Sequence, residues 1–291
     1  MHLPVMLNEV ISSLNLKPGY TVLDATIGGG GHAVEILKKI SPGGKLIGLD
    51  ADASALTIAA NSLRDFGASY KLINENFRNL DEVLRSEGIQ RLDACLLDLG
   101  ISSFQIDEGS RGFSLRYDAR LDMRMDPRLE MSAWDVVNRY KEEDIAELIR
   151  NYGEERFARR IARYIVHNRS ESPIDTTEQL RELVHRALRG RRGRIDPATR
   201  TFQAIRIEVN DELGALEEGL KKSIDHLASL RRIAVISFHS LEDRIVKNVF
   251  KLHALRGVLK IITKKPQTAS REEAMDNPRA RSAKLRVAER I

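Results

Sequence analysis

Asp24-Ala-Thr-Ile-Gly28-Gly29-Gly30-Gly31-His32 is the stretch that decides the fold of this 291-residue chain. It follows the apolar run 20–23 and opens onto the helix-like segment 33–40, which is the order of a strand, a glycine turn and a helix start. Glycine is needed in such a turn because a ligand lying against the backbone leaves no room for a Cβ atom. The stretch therefore predicts a site for a small nucleotide-like cofactor.

The same alternation of apolar runs and amphipathic segments continues through the first hundred residues. Amphipathic segments occupy the gaps at 32–40, 52–66 and 78–87. The apolar, partly β-branched runs cover 21–23, 46–49, 70–73 and 92–97. This alternation predicts a doubly wound parallel sheet of the Rossmann-like α/β class.

A helical block interrupts the α/β pattern. Residues 110–210 contain no strand pattern and show helical periodicity instead, after which the α/β pattern returns. The later elements are a helix at 211–227, strands at 233–238, 258–263 and 285–288, a helix at 241–254 and a linker-like stretch at 264–278. We predict seven strands in one core, built from 1–109 and 211–291, with 110–210 as an all-helical insertion.

Composition narrows the class of protein further. The single cysteine, Cys95, excludes an internal disulfide and a cysteine cluster for metal, which fits a reducing compartment. The first residues lack the pattern of a signal peptide, and no apolar run approaches the ~20 residues that a membrane span needs. We expect a cytoplasmic protein without a membrane partner. Most of the positive charge behind the net +5 lies past residue 110.

The glycine turn by itself fits two cofactors. Gly28-x-Gly30-x-x-Ala33 satisfies the relaxed dinucleotide fingerprint, and Asp50 follows Gly28 by 22 positions, where a carboxylate accepts hydrogen bonds from ribose hydroxyls. Both features are shared by NAD and S-adenosylmethionine sites.

Acidic residues at two further strand ends favour S-adenosylmethionine. Asp24 closes the first strand and Asp98 the fourth, where they suit a cationic methionine end and would repel a pyrophosphate. The alternative interpretation is that Asp24 caps the turn and Asp98 caps a following helix.

Asp98 is also the candidate catalytic residue. The carboxyl end of the fourth strand faces the reacting substrate in folds of this type. An Asp and nearby backbone carbonyls can accept the N–H bonds of an aromatic amine, orient its lone pair and stabilise the developing charge. Because Cys95 lies in an apolar run, we interpret it as a core residue, which disfavours a thiolate mechanism. No metal is implied.

Arginines concentrate between 186 and 194, a segment without acidic residues, and phosphate contacts are their obvious use. A solvated loop is the alternative. His239 follows the fifth strand and would emerge at the same sheet edge, with a structural role as the default. The candidate substrate-binding residues are Arg189, Arg191, Arg192, Arg194 and His239.

Several motifs in this order resemble the MraW-type bacterial methyltransferases, which modify the exocyclic amino group of a cytosine in the decoding region of 16S ribosomal RNA. The motifs are His2-Leu-Pro-Val-Met6, the glycine stretch, Asp98-Leu-Gly-Ile-Ser-Ser-Phe-Gln105, Arg111-Gly-Phe-Ser114, Leu121-Asp-Met-Arg-Met-Asp126, the segment 199–210, Ile236-Ser-Phe-His-Ser-Leu-Glu-Asp-Arg244 and Asn277-Pro-Arg-Ala-Arg-Ser282. The resemblance implies a seven-strand methyltransferase core, S-adenosylmethionine as donor and a helical insertion that helps to bind RNA.

Carried over position by position, the resemblance assigns cofactor contacts to residues along the core. They are Gly30, Gly31, His32, Asp50, Phe77, Asp98 and Gln105, to which the residue-level argument adds Asp24 and Gly28. Phe77 sits just after the third strand, where its ring is expected to line the adenine pocket; an ordinary core position is the alternative.

Three other functions stay open at this point. DNA amino-methyltransferases carry a Pro-Pro-aromatic motif where this chain has Asp98-Leu-Gly-Ile101, so Phe104, Phe113 or Phe238 would have to stack a flipped base. An NAD-type dehydrogenase would need a second βαβ half, and a non-catalytic RNA-binding assembly factor would keep the pocket only for folding. The expected partner is 16S rRNA within the small ribosomal subunit, with the protein a monomer or a homodimer.

Overall fold

Two compact units make up the chain, an α/β unit of 1–102 with 213–291 and a helical unit of 103–212. The computed structural model describes residues 4–102, 109–189 and 196–291. These boundaries lie within eight residues of the predicted 109/110 and within three of the predicted 210/211.

The strands belong to one sheet in the α/β unit. They are β1 (Thr21–Asp24), β2 (Lys45–Asp50), β3 (Tyr70–Asn74), β4 (Leu92–Asp98), β5 (Leu227–Ser237), β6 (Leu259–Ile261), β7 (Gln267–Thr268) and β8 (Lys284–Arg290).

The helices occur in both units. They are α1 (Leu7–Leu14), α2 (Gly31–Ile40), α3 (Ala53–Leu63), α4 (Leu80–Ser86), α5 (Ala133–Arg139), α6 (Glu142–Gly153), α7 (Ala158–Arg169), α8 (Thr177–Ala187), α9 (Thr199–Asn210), α10 (Glu212–His226), α11 (Ser240–Leu255) and α12 (Arg271–Asp276). Over the described ranges, each of these helices is too short or too polar to cross a bilayer.

The sheet has the order β3-β2-β1-β4-β5-β8-β6, with β7 paired to β8. The first five strands are parallel, and β8 runs antiparallel to its neighbours β5 and β6. The predicted α/β fold class is confirmed, but the sheet formed by the described residues has eight strands and not the predicted seven. The stretch 264–278, predicted as a linker, contains the additional strand β7 and α12, and the last strand covers seven residues and not only 285–288.

Both faces of the sheet are covered by helices, which is why its central strands are apolar on both sides. On one face, Val22 and Leu96 pack with residues of α1, α2 and α3. On the other, Leu23 and Leu97 pack with α4, α10 and α11. Successive residues of β1 and β4 thus serve opposite layers, as the alternation along a strand requires.

The helical unit has its own core, to which α5 to α9 all contribute. Gly153 permits the close crossing of α6 and α9, since a Cβ there would lie 2.6 Å from the Arg200 carbonyl oxygen. Buried Asn210, at the end of α9, fixes the loop that precedes α5. Its Nδ2 donates to the Met123 carbonyl at 2.8 Å, and its Oδ1 accepts the Met125 N–H at 2.7 Å.

Gly48 in the middle of β2 lets the turn after β1 approach the sheet. A Cβ at this position would lie 2.2 Å from Ile27 Cδ1 and 2.9 Å from Leu72 Cδ2. Ile27 belongs to the turn and donates its N–H to the Leu49 carbonyl at 2.8 Å. The glycine therefore sets how closely the turn can pack.

We expect Gly48→Ala to lower the free energy of unfolding by about 1–3 kcal/mol, because the added methyl overpacks this contact. Urea denaturation measures the change. Ile27→Val removes the Cδ1 atom that the added methyl would contact. The double variant should therefore lose less unfolding free energy than the two single variants lose together. Simple additivity would contradict the described contact.

Candidate active site

The strand order places a crevice at one edge of the sheet. The chain leaves β1 toward β2 on one side, while β4 and β5 continue on the other, so the loops diverge between β1 and β4. Ligands of open α/β sheets bind outside the carboxyl ends of the strands at such a switch point. The last residues of β1, β2 and β4 are Asp24, Asp50 and Asp98.

The glycine turn has the backbone that its sequence predicts. Gly28 and Gly30 have φ values of +51° and +84°, which residues with a side chain rarely adopt, and Gly30 is the N-cap residue of α2. The Gly28 N–H donates to Asp50 Oδ2 at 3.0 Å, and the other carboxylate oxygen accepts the Asp52 N–H at 2.9 Å. The ends of β1 and β2 are thus joined through Asp50.

The segment before α1 closes one side of the turn. A Cβ at Gly31 would lie 3.2 Å from Pro4 side-chain atoms, so the two segments are in tight contact. The next residue, His32, is buried and its Nε2 lies 3.1 Å from the Val5 carbonyl oxygen. Because a carbonyl only accepts, this nitrogen carries the proton, and Nδ1 keeps its lone pair.

The carboxyl groups of Asp24 and Asp98 resist ionisation. Asp24 is 1% exposed, and burial, reinforced by the charge of Asp98, raises its pKa to about 8. A quarter of the Asp98 side chain is exposed, yet desolvation also raises its pKa to about 7. Burial lowers the pKa of His32 to about 4, so the imidazole is neutral near pH 7.

The two carboxylate oxygens of Asp98 have different surroundings: one lies near His32, and the other has no hydrogen-bond donor among the described residues. Its Oδ2 lies 3.7 Å from His32 Nδ1. Its Oδ1 is buried and accepts no hydrogen bond from the described residues. The Asp98 backbone N–H donates to Thr26 Oγ1 at 2.6 Å, which ties this strand end to the glycine turn. A buried acceptor without a donor points to a ligand that brings one.

These residues fit S-adenosylmethionine. The glycine turn, whose positive φ values exclude side chains, opens a cradle beside the backbone. Asp50 lies at the ribose position of the nucleotide fold. Asp24 offers a carboxylate to a cationic amino-acid end, and the negative charge of an ionised Asp98 suits a sulfonium at the same edge of the sheet. A pyrophosphate would meet these same acids and be repelled.

Phe77 packs inside the α/β unit, next to α10. A Cβ at Gly219 would lie 2.3 Å from Phe77 Cδ2, so the glycine makes room for this ring. The ring also packs against the core layer that contains Leu80. Its contact with an adenine remains a prediction.

His239 caps a helix. Its Nδ1 accepts the Glu242 N–H at 3.4 Å, and Glu242 Oε2 in return accepts the His239 N–H at 3.2 Å, which is a capping box at the start of α11. This geometry explains why a histidine follows β5. Its role toward substrate remains a prediction.

Some predicted site residues lie outside the described part of the chain. They are Gln105, Arg191, Arg192 and Arg194. Arg189 is exposed at the end of the segment that follows α8. Among the aromatic candidates for base stacking, Phe104 is also outside, Phe113 packs on the core of the helical unit, and Phe238 lies 3.4 Å from the position of a Cβ on Gly100.

Two motifs of the helical unit serve its own folding. Arg111 Nη2 donates to the carbonyls of Arg124 and Met125, which joins the two motifs to each other. The Arg111 guanidinium also lies 5.5 Å from the Phe113 ring centroid, a cation–π distance.

Sequence reasoning missed Arg279 and Glu242. Their charges act on Asp98 in opposite directions, the arginine lowering its pKa and the glutamate raising it. Both residues stand in motifs quoted above, but only the fold brings them to the end of β4.

Cys95 is fully buried, and burial raises the pKa of its thiol to about 12. A thiolate at this position would be strongly disfavoured, which agrees with the predicted core role.

A nucleotide-type crevice whose acids suit a cationic methionine places the protein among the methyltransferases that depend on S-adenosylmethionine. The chain matches the sequence profile of the MraW methylase family over residues 1–291. It belongs to that family, which excludes the dehydrogenase alternative.

Relatives match over nearly the whole chain. Ribosomal RNA small subunit methyltransferase H of Clostridium botulinum (strain 657 / Type Ba4) is 47% identical over 100% of this chain and 99% of its own. The protein of that name from Symbiobacterium thermophilum is 48% identical over 98% and 95%. Among solved structures, the chain is similar to an rRNA methylase from Streptococcus thermophilus, with TM-score 0.46, 12% identity and coverage of 98% and 93%.

The raised pKa of Asp24 predicts a pH dependence of stability. Its pKa is about 8 in the folded protein, compared with 3.8 for an exposed carboxyl, so folding favours the protonated form, and stability is lost as pH rises through 8. Below pH 6.5 the buried His32 acts in the opposite sense, because its neutral form is favoured.

Between pH 6.5 and 8, the free energy of unfolding of the ligand-free protein should fall relative to that of Asp24→Asn. The expected difference over this interval is about 1–2 kcal/mol, since one pKa unit corresponds to about 1.4 kcal/mol. Urea denaturation at each pH measures it. Parallel pH profiles of the two proteins would show that Asp24 is ionised in the folded state.

Proposed function

We propose that this protein transfers a methyl group from S-adenosylmethionine to the exocyclic N4 amino group of a cytosine in the decoding region of 16S rRNA, within the small ribosomal subunit. The observation that carries the proposal is the unsatisfied Oδ1 of Asp98 at the end of β4, beside the cofactor turn. The names of the relatives support the substrate class, and the motif resemblance supports the N4 position.

The reaction is a direct in-line displacement. When bound, S-adenosylmethionine supplies an electrophilic methyl group on a sulfonium. The amino group of cytosine is a poor nucleophile because its lone pair is delocalised into the ring. Asp98 Oδ1 accepts one of its N–H bonds, which orients the lone pair and stabilises the positive charge that develops on nitrogen.

The environment of Asp98 suits this task. With a pKa raised to about 7, its carboxylate is basic enough to take the proton that the methylated amine loses. His32 lies 3.7 Å away with its Nδ1 lone pair toward Oδ2, so a protonated Asp98 has an acceptor nearby. No covalent enzyme intermediate is needed, and Cys95 is unsuited to form one.

The described part of the helical unit offers a surface for RNA phosphates on α7. Between 156 and 169 the chain contains five arginines and no acidic residue. Arg159 and Arg163 of α7 are exposed and four positions apart, so they share one face of the helix, and Arg156, two residues before the helix, is exposed as well. Arg163 remains 76% exposed although it lies 3.9 Å from Glu142.

Aromatic rings accompany this arginine face. Arg156 lies 4.7 Å from the Phe157 ring centroid, and Arg160 lies 5.8 Å from that of Tyr164. Guanidinium groups held over rings keep their charge while losing less conformational freedom on binding. The surface extends the predicted contacts of Arg189, Arg191, Arg192 and Arg194 with rRNA. A cytoplasmic location and a monomeric or dimeric state remain part of the proposal.

The direct test is transfer of label from methyl-labelled S-adenosylmethionine to small subunits that lack the modification, with naked 16S rRNA and duplex DNA alongside, followed by nucleoside analysis. We expect N4-methylcytidine in the subunit sample. Asp98→Asn should lower the single-turnover rate at saturating cofactor by about 10²- to 10⁴-fold, because the amide has no negative charge and cannot take the proton from the amine.

Asp65→Asn serves as the matched control, because this carboxyl group is 87% exposed and remote from the described site. Label on DNA alone would assign a different substrate. Cofactor binding with no transfer to any nucleic acid would favour the RNA-binding assembly factor. A full rate for Asp98→Asn would remove the proposed role of this carboxylate.

The arginine face is tested separately. We expect Arg156→Gln/Arg159→Gln to weaken RNA binding and to reduce the slope of log affinity against log salt by about 1–2, because each lost phosphate contact removes about one released counterion. Filter binding over a salt series measures the slope. Cofactor affinity should not change.

The control is Arg128→Gln/Arg139→Gln, two exposed arginines of the same helical unit that are paired with Asp126 and Asp135. An equal slope change in both double variants would show that α7 has no special part in RNA binding.

A further inference from the structure

The motif Asn277-Pro-Arg-Ala-Arg-Ser282 folds as a short 3₁₀ helix, Pro278–Ser282. Ala280 of this motif and Ala283, which directly follows it, are buried in the core layer that contains Ile236 of β5. The motif is therefore anchored to the strand that lies next to β4.

Hydrogen bonds fix the backbone on which Arg279 stands. Asn277 Oδ1 accepts the Arg279 N–H at 3.2 Å, and the Asn277 carbonyl accepts the Ala280 N–H at 3.0 Å. The Arg281 Nε donates to the Ala274 carbonyl at 3.0 Å, so its side chain is directed back toward α12. The two arginines of the motif consequently serve different neighbours.

Arg279 Nη2 donates to the carbonyl of Ile101, three residues after Asp98. The backbone between them turns sharply, because Gly100 has φ +89°, and the Leu99 N–H is held by the Ile236 carbonyl at 3.0 Å. The guanidinium thus secures the far end of the turn 98–101, whose near end is secured by β5.

The charge of Arg279 also acts on the Asp98 carboxyl, whose pKa it lowers. The other groups around this carboxyl are Asp24 at the end of β1, Glu242 on α11 and the neutral His32 on α2. Neither Asp24 nor Glu242 favours an ionised Asp98, and the charge of Arg279 opposes them.

We infer that Arg279 is a positioning residue for the methyl transfer: it holds the turn 98–101 so that Asp98 and the adjoining backbone carbonyls face the amine, and its charge keeps Asp98 available as an acceptor. The positioning part of this inference rests on the proposed function. The charge part concerns Asp98 alone.

The first experiment follows the titration of Asp98 in the ligand-free protein by ¹³C NMR of the aspartate carboxyls, assigned with Asp98→Asn. In Arg279→Gln we expect the Asp98 pKa to rise by about one unit, because the variant removes the positive charge that lowers the pKa of this carboxyl. Arg279→Lys should keep most of the wild-type value.

Arg281→Gln is the matched control, since it removes a guanidinium two residues away that binds the Ala274 carbonyl instead. Its Asp98 titration should equal that of the wild type. Urea denaturation of all variants confirms that they remain folded at the pH values used.

The second experiment measures single-turnover transfer to small subunits at saturating cofactor across pH. In Arg279→Gln the rate at neutral pH should fall about tenfold, and its acidic limb should move to higher pH by the same shift as the carboxyl. Added guanidinium should restore part of the rate, which a purely structural defect would not allow.

An unchanged Asp98 titration in Arg279→Gln overturns the inference, whether or not methyl transfer to RNA is observed. A shifted titration together with an unchanged plateau rate above the acidic limb limits Arg279 to its charge effect and overturns the positioning part. A shifted titration in a protein whose wild type transfers no methyl group overturns the proposed function and leaves the charge effect in place.

Discussion

Desolvation of the carboxyl groups at the ends of β1 and β4 is the interaction on which this site depends. A parallel sheet brings the carboxyl ends of its strands to one edge, so Asp24 and Asp98 are both desolvated there, and the charge of Asp98 raises the pKa of Asp24 further. A cationic ligand relieves this unfavourable state, whereas an anionic one makes it worse. The same arrangement that reduces stability without ligand therefore provides selectivity for the ligand's charge.

The glycine turn and the strand-end acids could be predicted because their physics is local. The pattern is a run of glycines between a strand and a helix, followed by an acid at the end of the next strand, and it depends only on neighbours within one βαβ unit. Gly30 has the expected positive φ, and Asp50 accepts a hydrogen bond from the glycine turn. The apolar runs likewise located β1 to β4, and β1, β2 and β4 are largely apolar because both of their faces are covered.

The remaining features depend on contacts between distant parts of the chain. The insertion of β8 between β5 and β6 cannot be deduced from its own pattern, which fits an edge strand equally well. Arg279 is 181 positions from Asp98 in the sequence and gives no local indication of its role. The position of His239 after β5 makes it a candidate substrate-binding residue with a structural role as the default, and its Nδ1 caps α11, because a side chain that follows a strand and starts a helix can satisfy free backbone donors.

The strand order also constrains how the α/β unit is assembled during synthesis. β6 and β7 leave the ribosome before β8, yet within the described residues each of them pairs with β8 alone. Strands β1 to β5 can form their parallel ladder earlier, with the helical unit folding between the two halves. The far edge of the sheet closes only when its central antiparallel strand arrives, so a nascent chain halted before residue 284 would hold an incomplete sheet with unpaired strand segments, a form open to aggregation and proteolysis.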